Sequence, residues 1–338
     1  MFKEVVFLRK GENACTHYRV DLPVKHLFSL GFKVSSVDSI NLHNVVDKAY
    51  IFGRACLYSE LNVFRDIKKR GGTVIYEIDD NLLDLPDWNP ASAFYLKHQV
   101  VIRNFLREAD FVIVTNECLK EAYHRYNPNI VIVDNYIDFD YLNQDVEIDL
   151  RNKEFKKVSI DILKDRFCLL WGGSTSHKAD LKVLERGLIR FLKLHPDMLL
   201  IAIHTINKPI LNQVSPDQIF LIPAVPPESY LALLHKLPAN LGFAPLRNCP
   251  FNRCKSRLKA IEYMASGIVP VVSKVQPYLE ILEKTLYDSL LVEDSDWFNV
   301  LENIYHLWEF SIIKKSISSW AHEHYDIKNS NWKEALFS

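Results

Sequence analysis

Neither G-x-G-x-x-G nor G-x-x-x-x-G-K-[ST] occurs anywhere in the 338 residues, which argues against a nicotinamide enzyme and against a P-loop kinase. No C-x-x-C pair exists either. Six cysteines (Cys15, Cys56, Cys118, Cys168, Cys249 and Cys254) lie far apart, mostly in apolar stretches, so they lack zinc or redox spacing and suggest a reduced, cytoplasmic compartment. An excess of one charge is missing as well: 41 Lys plus Arg face 42 Asp plus Glu. No global field favours nucleic acid, and an anionic ligand must be held by local charges. The apolar run at the start is too short for a signal peptide, and none reaches the roughly 18 residues of a membrane span. Repeats and low-complexity tracts are absent too.

What is present is a rhythm of strand-length apolar runs and amphipathic stretches, the pattern of parallel sheets covered by helices on both faces. In the first half, strands are expected near Val5–Leu8, Lys33–Val37, Ala49–Phe52, Thr73–Tyr76, Phe111–Val114 and Ile130–Val133. After Asn135 a charged stretch poor in long apolar runs reads as a connector. A second series follows: Phe167–Trp171, Leu199–His204, Ile219–Ile222, Asn240–Phe243, Val269–Val272 and a short strand near Leu290. The expected division is an α/β domain at 1–150, a second at 151–310, and aromatic-rich helices at 311–338 with the option of packing back on the first.

In such sheets ligands bind beyond the carboxyl ends of the strands. The stretch APLRNCPFNRCKSRLKAIEYMASGIVPVV, Ala244 to Val272, joins a strand end, a cationic loop, a helix and a buried strand. Helical spacing of Leu258, Ile261, Met264 and Ala265 predicts a helix from near Arg253 to Gly267. Lys255 and Ser256 would then sit in its first turn, where backbone N–H groups attract phosphate. Glu262, two turns further along the same face, is placed to accept hydrogen bonds from sugar hydroxyls. An amphipathic helix with solvated charges is the plainer alternative.

Three more places end apolar runs with polar groups. In LLWGGSTSHKADL, Gly172 and Gly173 would let a ligand approach the backbone, Ser174 and its neighbours offer hydroxyls, and Lys178 follows His177 into a helix start. In GGTVIYEIDDNLLDLP a strand ends in Glu77, Asp79 and Asp80. Such acids are costly unless paired or used; a solvated turn, a helix cap and a magnesium or manganese site are the open readings. In KGENACTHYRVDLP a glycine loop leads to a helix carrying His17, Tyr18 and Arg19.

Taken together, HYRVDLP, YEIDDNLLDLP, VDNYID, WGGSTSHKADL and FNRCKSRLKAIEYMASGIVPVV resemble the group 1 (GT4-like) glycosyltransferases of the GT-B fold, over nearly the whole chain. The resemblance implies two Rossmann-like doubly wound domains facing a cleft. It also implies transfer of a sugar from a nucleotide-sugar donor held by the second domain to a glycan or lipid-linked acceptor held by the first, with retention and with neither metal nor cofactor. On this likeness Lys178, Lys255 and Ser256 meet the donor diphosphate, with Gly172, Gly173, Ser174, His177 and Asn252 around the donor. Glu262 matches the second acid of the family's E-x7-E signature and binds the ribose. Cys254 stands where the first acid would be, which leaves Lys255, Asn252 or main chain to hold the donor sugar. Asp79 and Asp80 are the candidates for orienting the acceptor, beside His17, Tyr18 and Arg19. A cytoplasmic enzyme with room for peripheral membrane contact is implied; a nucleotide-sugar epimerase of the same fold and a non-catalytic, donor-binding scaffold subunit are the rival readings.

Overall fold

Thirteen strands are formed among the described residues, and the central ones are largely continuous apolar runs because they are covered on both faces. The computed structural model describes residues 2–42, 44–285, 290–307 and 310–337. Its strands are β1 (Glu4–Leu8), β2 (Val34–Val37), β3 (Lys48–Gly53), β4 (Thr73–Ile78), β5 (Phe111–Val114), β6 (Ile130–Ile132), β7 (Arg151–Asn152), β8 (Cys168–Gly173), β9 (Leu199–His204), β10 (Ile219–Ile222), β11 (Leu241–Ala244), β12 (Val269–Ser273) and β13 (Leu291–Val292). They build two sheets, ordered β2-β1-β3-β4-β5-β6 and β13-β12-β11-β8-β9-β10-β7. All pairings are parallel except β10 with β7 at one edge. The α/β class and the two Rossmann-like halves expected from the sequence are present.

The chain divides into two compact units. One comprises Met1–Asp138, Arg253–Ser256 and Tyr325–Ser338; the other comprises Phe139–Asn252 and Arg257–His324. The first unit's core is aromatic. Phe64 and Phe105 meet edge to face at 4.9 Å, and Tyr76 stacks on Phe105 at 5.1 Å, contacts that add to the apolar area buried. The C-terminal segment completes this unit. Trp332 lies edge-on to Phe7 at 5.9 Å, Phe337 stacks on Phe32 at 4.3 Å, and Ile137 exchanges backbone hydrogen bonds with Tyr325 and Ile327.

Two expectations need correction. The helix predicted from near Arg253 is instead two, Pro250–Arg253 and Leu258–Ala265. Lys255 and Ser256 lie between them, outside any first turn. The backbone there is engaged elsewhere: the Asn116 side-chain amide donates to the carbonyls of Cys254 and Lys255 at 3.0 and 3.3 Å, so those carbonyls have a partner outside any helix. The connector, for its part, holds a strand. β7 escaped notice because two residues, Arg151 and Asn152, are too few to show an alternating pattern.

A third finding concerns sulfur. Cys118 and Cys254, 136 positions apart, form a disulfide with 5.0 Å between their Cα atoms. Sequence spacing gave no hint of it. Among the described residues no helix is long and apolar enough to cross a membrane.

Candidate functional sites in the two units

In the first sheet the strand order reverses between β1 and β3, the switch point at which open α/β sheets bind ligands. A pocket of about 500 Å³ opens there, with Lys10 after β1, Arg54 after β3 and Glu77 at the end of β4 among its lining. Arg54 had given no signal in the sequence. It adopts a left-handed backbone, φ 49°, which costs energy in a residue with a side chain and is found where a ligand or clamp demands it. Its guanidinium donates to Asp79 Oδ1 at 2.8 Å, Asp80 Oδ2 at 3.2 Å and Cys15 Sγ at 3.1 Å, and its central carbon lies 5.9 Å from the Tyr95 ring centre.

The acids after Tyr76 are therefore neither a helix cap nor a solvated turn. Arg54 binds Asp79 and Asp80 together, and Lys255 Nζ lies 3.7 Å from Asp80 Oδ1. Glu77 is paired with Arg19 at 2.7 Å, each only 2% exposed. Burial pushes the Glu77 carboxyl up to about 7, against the pull of Arg19 and with the push of Asp79. No group of three or more metal-ligating side chains occurs among the described residues.

His17, Tyr18 and Arg19 lie in one continuous helical run, Ala14–Thr16, His17–Asp21 and Leu22–Ser29, whose middle part is a π-turn. Asn13 caps its start by accepting from the Thr16 N–H at 3.0 Å. Pro23 lacks the N–H that would bond one turn back, which favours the wider turn. All three expected acceptor residues are buried. His17 packs edge-on to Tyr18 at 4.9 Å. Arg19 reaches the Val133 and Asp134 carbonyls and Asn135 Oδ1 at 2.9 to 3.1 Å and lies 4.9 Å from the centre of the Trp332 ring. It binds the sheet to the C-terminal segment, although one edge of it also faces the pocket.

Lys255 and Ser256 belong to this first unit, the Asn135 side chain donating to Ser256 Oγ at 2.8 Å. Cys254 is 4% exposed and disulfide-bonded. With its sulfur bonded it has no free thiol to offer in the role that the sequence resemblance gives to an acid at this position.

In the second unit the order reverses between β8 and β11, and Gly172, Gly173, Ser174, His177 and Asn252 of the expected donor residues lie around those strand ends. A short turn, Thr175–His177, runs into the helix Lys178–Leu194, so Lys178 is its first residue, as predicted. The organising group is Asp180, another residue that was overlooked. It is 2% exposed and accepts from the Arg247 N–H at 3.2 Å and from Asn252 Nδ2 at 2.8 Å, with His177 Nδ1 at 3.2 Å. Asn252 also donates to the Arg247 carbonyl at 2.9 Å. His177 and Asn252 thus brace the loop after β11. Ser174 Oγ pairs with Ser176 Oγ at 2.7 Å.

The two glycines serve packing. A Cβ on Gly172 would overlap the Tyr230 hydroxyl, and one on Gly173 would overlap the Trp171 ring. Lys259 donates to the Gly172 carbonyl and sits 5.2 Å from the Trp171 ring centre. Glu262, on the helix Leu258–Ala265, is 7% exposed. Lys178 faces a second pocket of about 470 Å³, lined also by His204, Thr205 and Pro223 at the ends of β9 and β10. The lysines expected to act as a pair lie in different units.

No family model matches the chain, and no curated protein matches it in sequence. Solved structures share its fold. It is similar to an alpha-glucosyltransferase in complex with UDP (12% identity, 100% of this chain and 98% of that one, TM-score 0.63) and to a glycosyltransferase from Rickettsia africae (11%, 100% and 99%, 0.60). A third, a putative UDP-N-acetylglucosamine 2-epimerase from Listeria monocytogenes, matches at 11% identity over 97% and 93% of the chains with a TM-score of 0.56.

Proposed function

We propose that the protein is a glycosyltransferase that moves a sugar from a nucleotide donor, bound by the second unit, to a hydroxyl of an acceptor bound by the first. The observation that carries this reading is the presence of ligand-sized pockets in both units, about 500 and 470 Å³, the first at its sheet's switch point and the second beside Lys178. An epimerase needs one substrate site; a transferase needs two. The fold shared with an alpha-glucosyltransferase solved in complex with UDP makes a uridine nucleotide the first donor to try.

On this reading Lys178 and the N–H groups of its helix start meet the diphosphate, and fixed positive charge stabilises the leaving group as negative charge builds on it. Glu262 holds the ribose. Asp79 and Asp80 orient the acceptor hydroxyl and take part in removing its proton, while Arg54 and Lys255 hold the two carboxylates in place. Retention at the anomeric carbon and independence of metal belong to the proposal. So do a peripheral membrane contact and a glycan or lipid-linked acceptor.

The test is incubation of the pure protein with UDP-sugars, with and without acceptor saccharides. Acceptor-dependent release of UDP that persists in EDTA is the expected outcome. Conversion of donor with no acceptor present would point to an epimerase, and nucleotide binding without turnover to a non-catalytic subunit.

A further inference from the structure

The pocket at the β1/β3 switch point carries its own statement about what it binds. Every cation in it is already matched by an acid. Lys10 pairs with Glu60, Arg19 with Glu77, and Arg54 with Asp79 and Asp80. Glu60 is further held by accepting the N–H groups of Cys56 and Leu57, each at 2.9 Å. A phosphate or carboxylate entering this space would lie beside these carboxylates or displace one from its partner, leaving a half-buried acid uncompensated, and either is costly. An uncharged ligand displaces nothing.

The rest of the lining is aromatic and polar. Phe94 is 47% exposed although it sits at the pocket, and it meets Tyr95 edge to face at 5.2 Å. Arg54 lies over the other ring. Aromatic side chains of this kind offer flat apolar area with little rotamer freedom to lose. Glu60 and Glu77, the carboxylates of the lining, still have lone pairs for hydroxyl donors, and Asn13 and Thr16 are also among the lining. About 500 Å³ is within the range of small-molecule sites.

We propose that this pocket takes an uncharged saccharide ring, packed against Phe94 and Tyr95 with its hydroxyls on the paired acids, and excludes phosphorylated or carboxylated sugars. The proposal rests on the glycosyltransferase reading, naming the class of its acceptor. Cys15, with its thiol pushed well up by burial, stays protonated and serves only as a neighbour of Arg54.

Saturation-transfer NMR on the whole protein tests this with methyl glucopyranoside, N-acetylglucosamine and maltose against glucose 6-phosphate and glucuronic acid. Calorimetry with UDP runs alongside. At least one neutral sugar is expected to bind and the anionic ones not to; Phe94→Ala and Tyr95→Ala weaken that binding about three- to tenfold and leave UDP affinity unchanged. Phe94 is exposed enough that its removal spares the fold. Binding of the anionic sugars alone, no binding of any sugar, or sugar binding indifferent to both substitutions overturns the proposal. Neutral sugar bound without any UDP binding would sink glycosyl transfer and spare the saccharide site; transfer from a UDP-sugar to anionic acceptors, with release of UDP, would do the reverse.

Discussion

Replacing Arg19 with alanine probes the most heavily committed side chain in the first unit. Arg19 and Glu77 are each 2% exposed and 2.7 Å apart, and Arg19 also serves the carbonyls of Val133 and Asp134. Removing one partner of a buried pair typically costs about 3–5 kcal/mol because the other charge is left uncompensated. The cost depends on pH in a definite sense. Glu77 is pushed up to about 7 from an ordinary 4.5, so between those values the folded protein holds a proton that the unfolded chain has released. Stability from this group is present at low pH and is lost as pH rises towards 7. Without Arg19 the carboxyl climbs further, so the variant goes on losing stability through pH 8 where the wild type has levelled off. The destabilisation at pH 8 should exceed that at pH 6 by about 1 kcal/mol, the equivalent of one decade in proton affinity. Urea denaturation at the two pH values measures both quantities, and Arg19→Met with Glu77→Leu should recover much of the loss. A destabilisation below about 1 kcal/mol at pH 8, or one independent of pH, would refute the account of a buried, mutually dependent pair.

Lys178→Ala should weaken UDP binding about tenfold to a hundredfold, the worth of one charge-assisted hydrogen bond, with an unchanged melting temperature; calorimetry and a thermal scan check the two halves. Reduction of Cys118–Cys254 with dithiothreitol should lower stability by about 2–4 kcal/mol in urea titrations, whereas Cys118→Ser should show the same loss and no further response to reductant. Gly172→Ala forces a methyl group onto the Tyr230 hydroxyl and should cost about 1–3 kcal/mol. Adding Tyr230→Phe, which removes that oxygen, should restore most of it.

Strands were the most legible part of the chain. Phe111–Val114 and Ile219–Ile222 begin and end where their apolar runs do, and Leu199–His204 has the expected bounds, because a strand buried on both faces advertises itself residue by residue. Lys178 at a helix start was equally readable, since the glycines before it and the amphipathic pattern after it are local. What failed was whatever depended on partners far along the chain. Nothing near Arg54 says that Asp79 and Asp80 will share it, and nothing near Cys254 announces Cys118. The helix expected from Arg253 followed a correct periodicity too far, because side chains at positions 116 and 135 bind the residues in between. Gly172 and Gly173 were read as space for a ligand; that their missing side chains also make room for a tyrosine and a tryptophan of the protein itself could not be read locally.

The first unit is assembled from three stretches of chain, and the last of them begins only at Tyr325. On a ribosome adding roughly 5–20 residues per second, some ~10–40 s separate Asp138 from Phe337. Throughout that interval Phe7 and Phe32 lack the rings of Trp332 and Phe337, and Arg19 has no indole beneath it. The nascent amino-terminal sheet therefore waits, with an uncovered apolar face, for Trp332 and Phe337 to be made. A premature stop anywhere after residue 150 would leave that face open for good, so truncated products should be handed to chaperones or proteases rather than accumulate as a working half.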